Sequence, residues 1–272
     1  MARAMNDSTQ ATLGTPSADL NSRAHTLGSD RGLAARLGIV LQTALENFVA
    51  RVSRLPDAPV YASRDFAWTE NLEAHWRLVR SELEQVLTQR DNLPAFHQIL
   101  DEVRTISNDD QWKTYWLIGA GMDLAENQLR CPETMALLRR IPGVLTAFFS
   151  ILAPGKKIPP HRGAYNGILR CHLGLIVPEP ATRVAIRVGN RICHWREGET
   201  LIFDDSFNHE VWNGTDGWRV VLFIDFPRPL RQPWHALNRL FLGVARFLPL
   251  LRRANRRHRD WKRAFYRGSA PD

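Results

Sequence analysis

The sequence is short of cysteine and of long apolar runs, and both shortages limit what the chain can be. Its three cysteines form no C-x-x-C pair, so we expect neither a disulfide framework nor a zinc or redox motif. This usage fits a reduced, cytosolic compartment. Nowhere does the chain reach the ~20 consecutive apolar residues of a spanning helix, and its N-terminus lacks the pattern of a secretory signal. We therefore expect a cytoplasmic protein without a transmembrane helix.

Nearly all of the excess positive charge lies near the C-terminus. The net charge is +8, and residues 252–267 alone hold eight basic residues and one acidic residue. Charge alone, without aromatic residues spaced on a sheet, does not indicate a nucleic-acid partner. Residues 242–251 are largely apolar, and apolar residues followed by Arg and Lys are typical of a helix lying in an anionic membrane surface. Either this tail is a peripheral anchor on the inner face of the cytoplasmic membrane, or its apolar part packs on the protein and its basic part is solvated.

Composition and hydrophobic periodicity divide the chain into four segments. The first lacks an apolar period and is expected to be disordered. The next has helical periodicity, and the third has short β-rich runs between turn residues. The segments are a disordered stretch, 1–33, a helical region packing on the barrel, 34–144, a β-barrel core, 145–229, and an amphipathic basic tail, 230–272. The fold class is therefore mainly β with a helical N-terminal region.

The apolar period also predicts individual elements. Steps of three and four residues predict an amphipathic helix over 34–55. Seven or eight antiparallel strands of the predicted size fit a jelly-roll barrel. Gly189-Asn190 is expected to form a two-residue hairpin, and residues 213–217 a longer one. Further helices are expected over 69–90, 93–106 and 132–140, and strands over 145–152, 167–177, 183–188, 191–195, 200–203, 209–212 and 218–226.

Two histidines of the β-rich segment are candidate metal ligands. His161 lies in Pro160-His161-Arg162-Gly163, which we interpret as a loop because its proline and glycine exclude a central strand. His209 follows an acidic turn and opens a short β-rich run. Each is either an ordinary structural histidine or a ligand, and imidazole suits divalent iron.

Arg219 is expected to be buried. The two-residue period of a strand places it on the same face as Val221, and both faces of this strand are apolar. A buried guanidinium needs an anionic partner to offset its desolvation. That partner is either an internal aspartate (Asp204, Asp205 or Asp225) or a dicarboxylic acid held through two parallel hydrogen bonds.

Arg170 and His172 form a second cationic pair. Because they are two residues apart on a strand, they point the same way, and Gly174 beside them leaves room for another group to approach. They are either a satisfied polar pair on a solvent face or a second carboxylate site. Together with the two histidines and the buried arginine, they suit a metal chelated by a keto-diacid. The carboxylate that non-haem iron commonly adds is missing, because Gly163 stands where it is expected.

On these residues the chain resembles the aspartyl/asparaginyl β-hydroxylase family of iron(II)- and 2-oxoglutarate-dependent dioxygenases. The resemblance spans about residues 110–229 and is strongest over 149–152, 160–163, 170–175 and 202–212. It implies a double-stranded β-helix, with iron(II), 2-oxoglutarate and O2 as the cofactors and cosubstrates.

The resemblance also implies a role for each site residue. His161 and His209 would be the iron ligands, and Asp205 a carboxylate near a metal-bound water. Gly163 is consistent with this, because the peptide-hydroxylating members also carry glycine there. The residues implied for 2-oxoglutarate are Ser150 and Arg219 at its distal carboxylate, and Arg170 and His172 at the carboxylate beside the keto group.

Two substrate classes stay open. One branch of the family hydroxylates Asp or Asn side chains of proteins, and the other is similar to enzymes that hydroxylate acyl chains of lipid A or ornithine lipids. Gly163 favours the peptide branch, because the lipid A hydroxylases have Asp there. The apolar and basic C-terminus favours the lipid branch, so a membrane-lipid acyl chain is the substrate we expect. A cupin-like metal-binding module without activity is an alternative of another class, although a pure metal site does not require Arg219.

Overall fold

The computed structural model describes residues 33–245, 255–262 and 265, so nearly all of the segment predicted to be disordered lies outside the described residues. The strands are β1 Val60–Tyr61, β2 Trp112–Ile118, β3 Thr146–Leu152, β4 Lys157–His161, β5 Ile168–Ile176, β6 Val184–Val188, β7 Arg191–Cys193, β8 Thr200–Phe203, β9 His209–Asn213 and β10 Arg219–Pro227. They form an antiparallel six-stranded sheet of order β1-β8-β5-β10-β3-β2 and an antiparallel four-stranded sheet of order β4-β9-β6-β7. The predicted fold class, a double-stranded β-helix with added helices, is confirmed.

Seven α-helices accompany the two sheets within residues 33–245. They are α1 Leu33–Val52, α2 Trp68–Ala74, α3 Trp76–Leu87, α4 Phe96–Ile99, α5 Ala125–Arg130, α6 Pro132–Leu138 and α7 Trp234–Ala245. The helix predicted over 69–90 is interrupted at His75, and the one predicted over 93–106 is a single α-turn followed by a 3-10 helix, Asp101–Thr105. Residues 255–262 are also helical.

Alternation along the strands builds two cores. In β5 and β10, Leu173 and Leu222 point outward and pack with Leu83 of α3. Val221 and Phe223 point inward, toward the four-stranded sheet. Every second residue of β5 and β10 therefore reaches the barrel interior. Arg170, His172 and Arg219 are on these inward faces.

Three strands were not predicted, and one of them changes the interpretation of His161. The expected loop around this histidine is the strand β4, at the edge of the four-stranded sheet. Its residues Pro159 and Pro160 have no N–H to donate, which an edge strand tolerates because one side needs no partner. The strand is therefore not central, as expected, but it is a strand.

The predicted long hairpin over residues 213–217 is wrong. β9 and β10 belong to different sheets, so this segment crosses between them. The side-chain amide of Asn213 donates to the carbonyl oxygens of Ala153 (3.0 Å) and Gly217 (2.8 Å), which ties the crossing to the end of β3. Gly189-Asn190, by contrast, joins the neighbouring strands β6 and β7 in two residues, as predicted.

The helices α1 and α7 pack through polar residues. Glu46 of α1 is 1% exposed, and its carboxylate accepts a hydrogen bond from Arg162 Nη2 at 3.0 Å. Asn238 of α7 is also buried, where it accepts from the Tyr165 hydroxyl at 2.9 Å and donates to the Gly167 carbonyl at 2.9 Å. The apolar stripe that predicts α1 is largely turned to solvent: Leu37, Val40, Leu41, Leu45 and Phe48 are exposed.

The basic C-terminal segment lies against the protein wherever the structure describes it. Arg257 pairs with Asp101, Lys262 Nζ lies 2.9 Å from Asp123 Oδ2, and His258 is fully buried. The alternative of a solvated basic tail is therefore wrong for residues 255–262, whereas most of the apolar stretch 242–251 lies outside the described residues. None of the described helices is long and apolar enough to cross a membrane.

Acid is expected to release the helix over residues 255–262. Burial lowers the pKa of His258 from 6.5 to about 4, so the docked helix holds a neutral imidazole that the released helix would protonate. The docking free energy is therefore complete above the pKa of the released histidine, about 6.5, and falls as the pH drops toward the pKa of the docked one. Hydrogen exchange of residues 255–262, corrected for the intrinsic rate, should show protection at neutral pH and its loss near pH ~4.5.

His258→Leu is the matched variant for this prediction, because leucine fills the buried position and does not titrate. Its helix should stay protected where the wild-type helix is released. Equal loss of protection in the two proteins would mean that the carboxylates of Asp101 and Asp123, and not His258, control the release.

Candidate active site

The pairing of β4 with β9 brings two histidines together. His161 and His209 are direct partners across the two strands, because the register shifts between Ile158 and His161. Their ring centroids lie 4.1 Å apart. The residues between Ile158 and His161 are the two prolines, so the irregularity that they cause sets the pairing of the histidines.

Backbone carbonyl groups determine which nitrogen each histidine offers. Nδ1 of His161 lies 2.8 Å from the carbonyl oxygen of Pro159, and Nδ1 of His209 lies 2.9 Å from that of Phe207. Because a carbonyl oxygen only accepts, each Nδ1 carries the proton and each Nε2 carries a lone pair. Burial lowers the pKa of His161 and takes the pKa of His209 well below its usual range. Two adjacent neutral imidazoles with Nε2 lone pairs fit a divalent metal ion.

The space that a carboxylate on residue 163 would need is occupied. The N–H of Gly163 donates to the Asp205 carbonyl oxygen at 2.7 Å, and a Cβ on Gly163 would collide with the Asp205 carboxyl group. Among the residues that the structure describes, no three His, Cys, Asp or Glu side chains are grouped to hold a metal. A metal here would therefore have two protein ligands, and its other positions would be left to small molecules.

Arg219 is buried without compensation for its charge. Its side chain is 1% exposed, and its Nε and Nη1 have no hydrogen-bond partner in the described part of the chain. Its guanidinium carbon lies 4.6 Å from the ring centroid of Trp195. Burial lowers the pKa of Arg219 to about 9, and no carboxylate raises it again. An anion is the group that this position lacks.

The alternative of an internal ion pair for this arginine is not supported. Asp204 pairs with Arg228, and both side chains are fully buried. Asp205 and Asp225 each pair with Arg170, through Oδ2 and Oδ1 respectively, at 2.9 Å. All three candidate aspartates therefore neutralise other cations.

Ser150 and His172 share the inner face with Arg219. In β3, Ser150 is paired with the next inward residue of β10 and is thus a diagonal neighbour of Arg219. Its Oγ accepts a hydrogen bond from Trp112 Nε1 at 2.9 Å, which leaves its own O–H to donate. His172 is 5% exposed, and neither ring nitrogen has a partner among the described residues. Burial and the charge of Arg219 take the pKa of His172 well below its ordinary value, so the ring is neutral.

Arg170 already has carboxylate partners within the protein. It points inward with His172, so the alternative of a solvent face is wrong, but its guanidinium already bridges Asp205 and Asp225. It also lies 4.1 Å above the ring of Phe223. Burial raises the pKa of Asp205 to about 6, although Arg170 opposes the rise. A ligand carboxylate at Arg170 would have to share it with two others.

Gly174 leaves room for another group to approach, as expected, and that group is the protein's own backbone. A Cβ there would collide with the backbone carbonyl oxygen of Arg196. This close approach brings the neighbouring Trp195 into the barrel, where it is 1% exposed and contacts Arg219 and His172. Sequence reasoning missed Trp195, because nothing in the short run around it distinguishes it from a tryptophan that packs in the core.

An apolar pocket of about 290 Å³ borders the site. Phe223 and Arg170 form part of its wall, and both also contact the site interior, through His172 and Asp205. Aliphatic and aromatic side chains make up most of the remaining wall, and one of them is Leu242 of α7. The pocket thus runs from the inner residues to the C-terminal helix.

Comparison with known proteins shows which proteins this chain is similar to. The model of the family described as aspartyl/asparaginyl β-hydroxylase matches residues 73–229. An ornithine lipid ester-linked acyl 2-hydroxylase of Rhizobium tropici is 46% identical over 221 residues, which cover 81% of this chain and 79% of that protein. The mouse aspartyl/asparaginyl β-hydroxylase is 32% identical over 220 residues, 77% of this chain but only 27% of its own length. A prolyl-4-hydroxylase of Pseudomonas putida superposes with a TM-score of 0.38 at 17% identity, over 60% of this chain and 97% of that chain.

Proposed function

Because this chain belongs to the aspartyl/asparaginyl β-hydroxylase family and is a hydroxylase, we propose that it uses iron(II) and 2-oxoglutarate to hydroxylate an acyl chain of a membrane lipid. The observation that carries the proposal is Arg219, a buried guanidinium with no carboxylate partner in the described part of the chain. A dianionic cosubstrate would provide the missing charge. A metal-binding module without activity has no need of such a residue.

The two histidines would hold the iron through Nε2, the nitrogen that their backbone hydrogen bonds leave free. Iron(II) and 2-oxoglutarate together supply the oxidation: one atom of O2 enters the C–H bond as a hydroxyl group, the other enters succinate, and CO2 leaves. Neither histidine carries a proton on Nε2, so metal binding needs no deprotonation at neutral pH. Trp195 and Phe203, both buried next to His172, exclude water from this part of the interior.

Four residues would bind the cosubstrate. Arg219 would hold the distal carboxylate with its unpartnered N–H groups, and Ser150 would donate its hydroxyl to the same group. His172 would donate one N–H to the carboxylate beside the keto group. We assign His172 the larger share at that end, because Arg170 is already neutralised by two aspartates.

The substrate class rests on two observations. The Rhizobium tropici relative is named for hydroxylation of an ornithine-lipid acyl chain, and the pocket beside the site is apolar. In the sequence analysis, Gly163 favours a peptide substrate. In this fold the glycine is explained without reference to the substrate, because the Asp205 side chain fills the space beside it. An acyl chain suits the apolar pocket better than an Asp or Asn side chain, which would bring polar groups into it.

Mass spectrometry tests this proposal. The purified protein with iron(II), 2-oxoglutarate and bacterial membrane lipids is expected to add one oxygen atom to an acyl chain and to release one succinate for each hydroxyl group formed. A reaction without 2-oxoglutarate is the control. If oxygen is added to Asp or Asn side chains of a peptide mixture and to no lipid, the peptide branch is correct and the lipid proposal is wrong.

A further inference from the structure

The helices α1 and α7 expose their apolar stripes. Leu37, Val40 and Leu41 of α1, and Leu240, Phe241 and Val244 of α7, are each 54–64% exposed. Each helix is anchored to the protein by a buried polar residue, Glu46 or Asn238. An amphipathic helix normally buries its apolar stripe against the core. Here two helices do the reverse.

The two stripes form one surface. The rings of Phe48 in α1 and Trp234 in α7 meet edge to face, with centroids 4.8 Å apart. The two helices therefore meet through apolar residues, and Leu45 and Phe48 of α1 line one groove together with Trp234, Leu237 and Phe241 of α7. An apolar surface built from two elements and rimmed by polar residues marks an interaction site, unlike single exposed leucines.

Charge indicates what this surface binds. Arg51 and Arg54 at the end of α1, and Arg231 and Arg239 at α7, are all exposed. Glu46 is the only acidic residue in the sequence of either helix, and it is buried against Arg162. Exposed apolar side chains and exposed arginines, on helices that carry no exposed acid of their own, are complementary to an anionic lipid surface.

The same surface continues into the pocket. Phe241 lies on the exposed side of α7, and the next residue, Leu242, lines the pocket. The pocket in turn reaches Phe223 and Arg170 at the site. A chain that leaves a lipid layer beside α7 would thus meet apolar side chains all the way to the barrel interior.

We propose that α1 and α7 together dock this protein on an anionic lipid surface, and that an acyl chain passes from that surface along α7 into the pocket beside Phe223. The identity of the acyl chain as a substrate rests on the proposed function, but the docking does not. This differs from an anchor made by the basic tail, because the helix over residues 255–262 is bound to the protein and the docking face comes from α1 and α7.

Vesicle binding tests the docking face. The variants Leu240→Glu and Leu41→Glu each place a charge in the face, and Leu129→Glu makes the same change at a leucine of α5 that is 79% exposed and outside the face. Full-length protein and variants are sedimented with vesicles of phosphatidylglycerol and phosphatidylcholine. The wild type and Leu129→Glu should bind. The affinity of the two face variants should be lower by about tenfold or more.

Equal binding by all four proteins, or no binding by the wild type, would overturn the docking face. So would a wild-type dimer in light scattering that either face variant dissociates, because the face would then join two copies of this chain. Assays with lipid in detergent micelles distinguish failure of the docking face from failure of the proposed function. If micellar lipid is hydroxylated but vesicle binding does not depend on the face, only the docking fails. If vesicles bind through the face but no lipid is hydroxylated, the proposed function fails.

The pocket has its own test. Ala120 lines it, and Ala120→Phe would fill part of its volume. With lipids of increasing acyl length in micelles, kcat/KM of this variant relative to wild type should fall as the chain lengthens, by about tenfold or more for the longest. A loss that is the same at every chain length would show that the pocket does not hold the acyl chain.

Discussion

Alanine at His161 or at His209 is expected to abolish hydroxylation and iron retention. In the proposed site each histidine would supply one of two protein ligands, and the backbone hydrogen bond of each leaves its Nε2 free. Loss of a residue that merely orients a ligand costs roughly 10–100-fold in metal affinity, so loss of a ligand should cost more. Iron content after gel filtration and succinate release with 2-oxoglutarate are the two measurements.

The control for this pair is His75→Ala. His75 is exposed and its ring hydrogen-bonds to the backbone carbonyl group of Asn71 in α2, so its loss should change neither iron content nor succinate release. Thermal unfolding of the iron-free proteins must show that the two site variants stay folded. A folded variant that retains the wild-type amount of iron would remove that histidine from the metal site.

Arg219→Met is expected to have opposite effects on stability and on cosubstrate binding. Without cosubstrate, the wild type carries a buried charge that no carboxylate balances, so methionine should raise the free energy of unfolding by about 1–4 kcal/mol. With 2-oxoglutarate at 100 times its Kd, the wild type should gain ~2.7 kcal/mol and the variant nothing. Denaturant unfolding with and without 2-oxoglutarate measures both effects.

Arg228→Met is the matched control, because Arg228 is as deeply buried but is paired with Asp204. Its loss leaves a buried carboxylate without its cation and should destabilise the protein by ~3–5 kcal/mol. The two substitutions are chemically identical and should have opposite signs. If Arg219→Met also destabilises the cosubstrate-free protein, Arg219 has a structural partner and is not an empty anion site.

Most of the inner strands could be predicted from the sequence because their information is local. Alternation alone put Arg219 with Val221, and Arg170 with His172, on common faces. The partners of these side chains could not be predicted, because they come from distant segments. Arg170 of β5, for example, pairs with Asp225 of the neighbouring strand β10. Trp195 was missed for the same reason, since its place depends on the approach of its loop to another strand.

The orientation of the terminal helices is a further limit of sequence reasoning. A three- and four-residue period shows that a helix has an apolar side but not what that side contacts. In α1 the period is correct, yet Glu46 faces the protein because Arg162, far along the chain, offers it an ion pair. The basic segment was likewise assigned from its own charge, whereas its acidic partners, Asp101 and Asp123, lie in the helical region.

The contact between Gly163 and Asp205 also limits how this protein can change over generations. A His-x-Asp motif is one replacement away, Gly163→Asp, but the new side chain would displace a carboxyl group that Arg170 holds in the interior. If Asp205 is shortened first, Arg170 loses one of its two carboxylates. Both orders pass through a damaged intermediate, so the two positions are epistatic. We therefore expect a fitness valley between a lineage that has glycine at 163 and aspartate at 205 and one that has aspartate at 163.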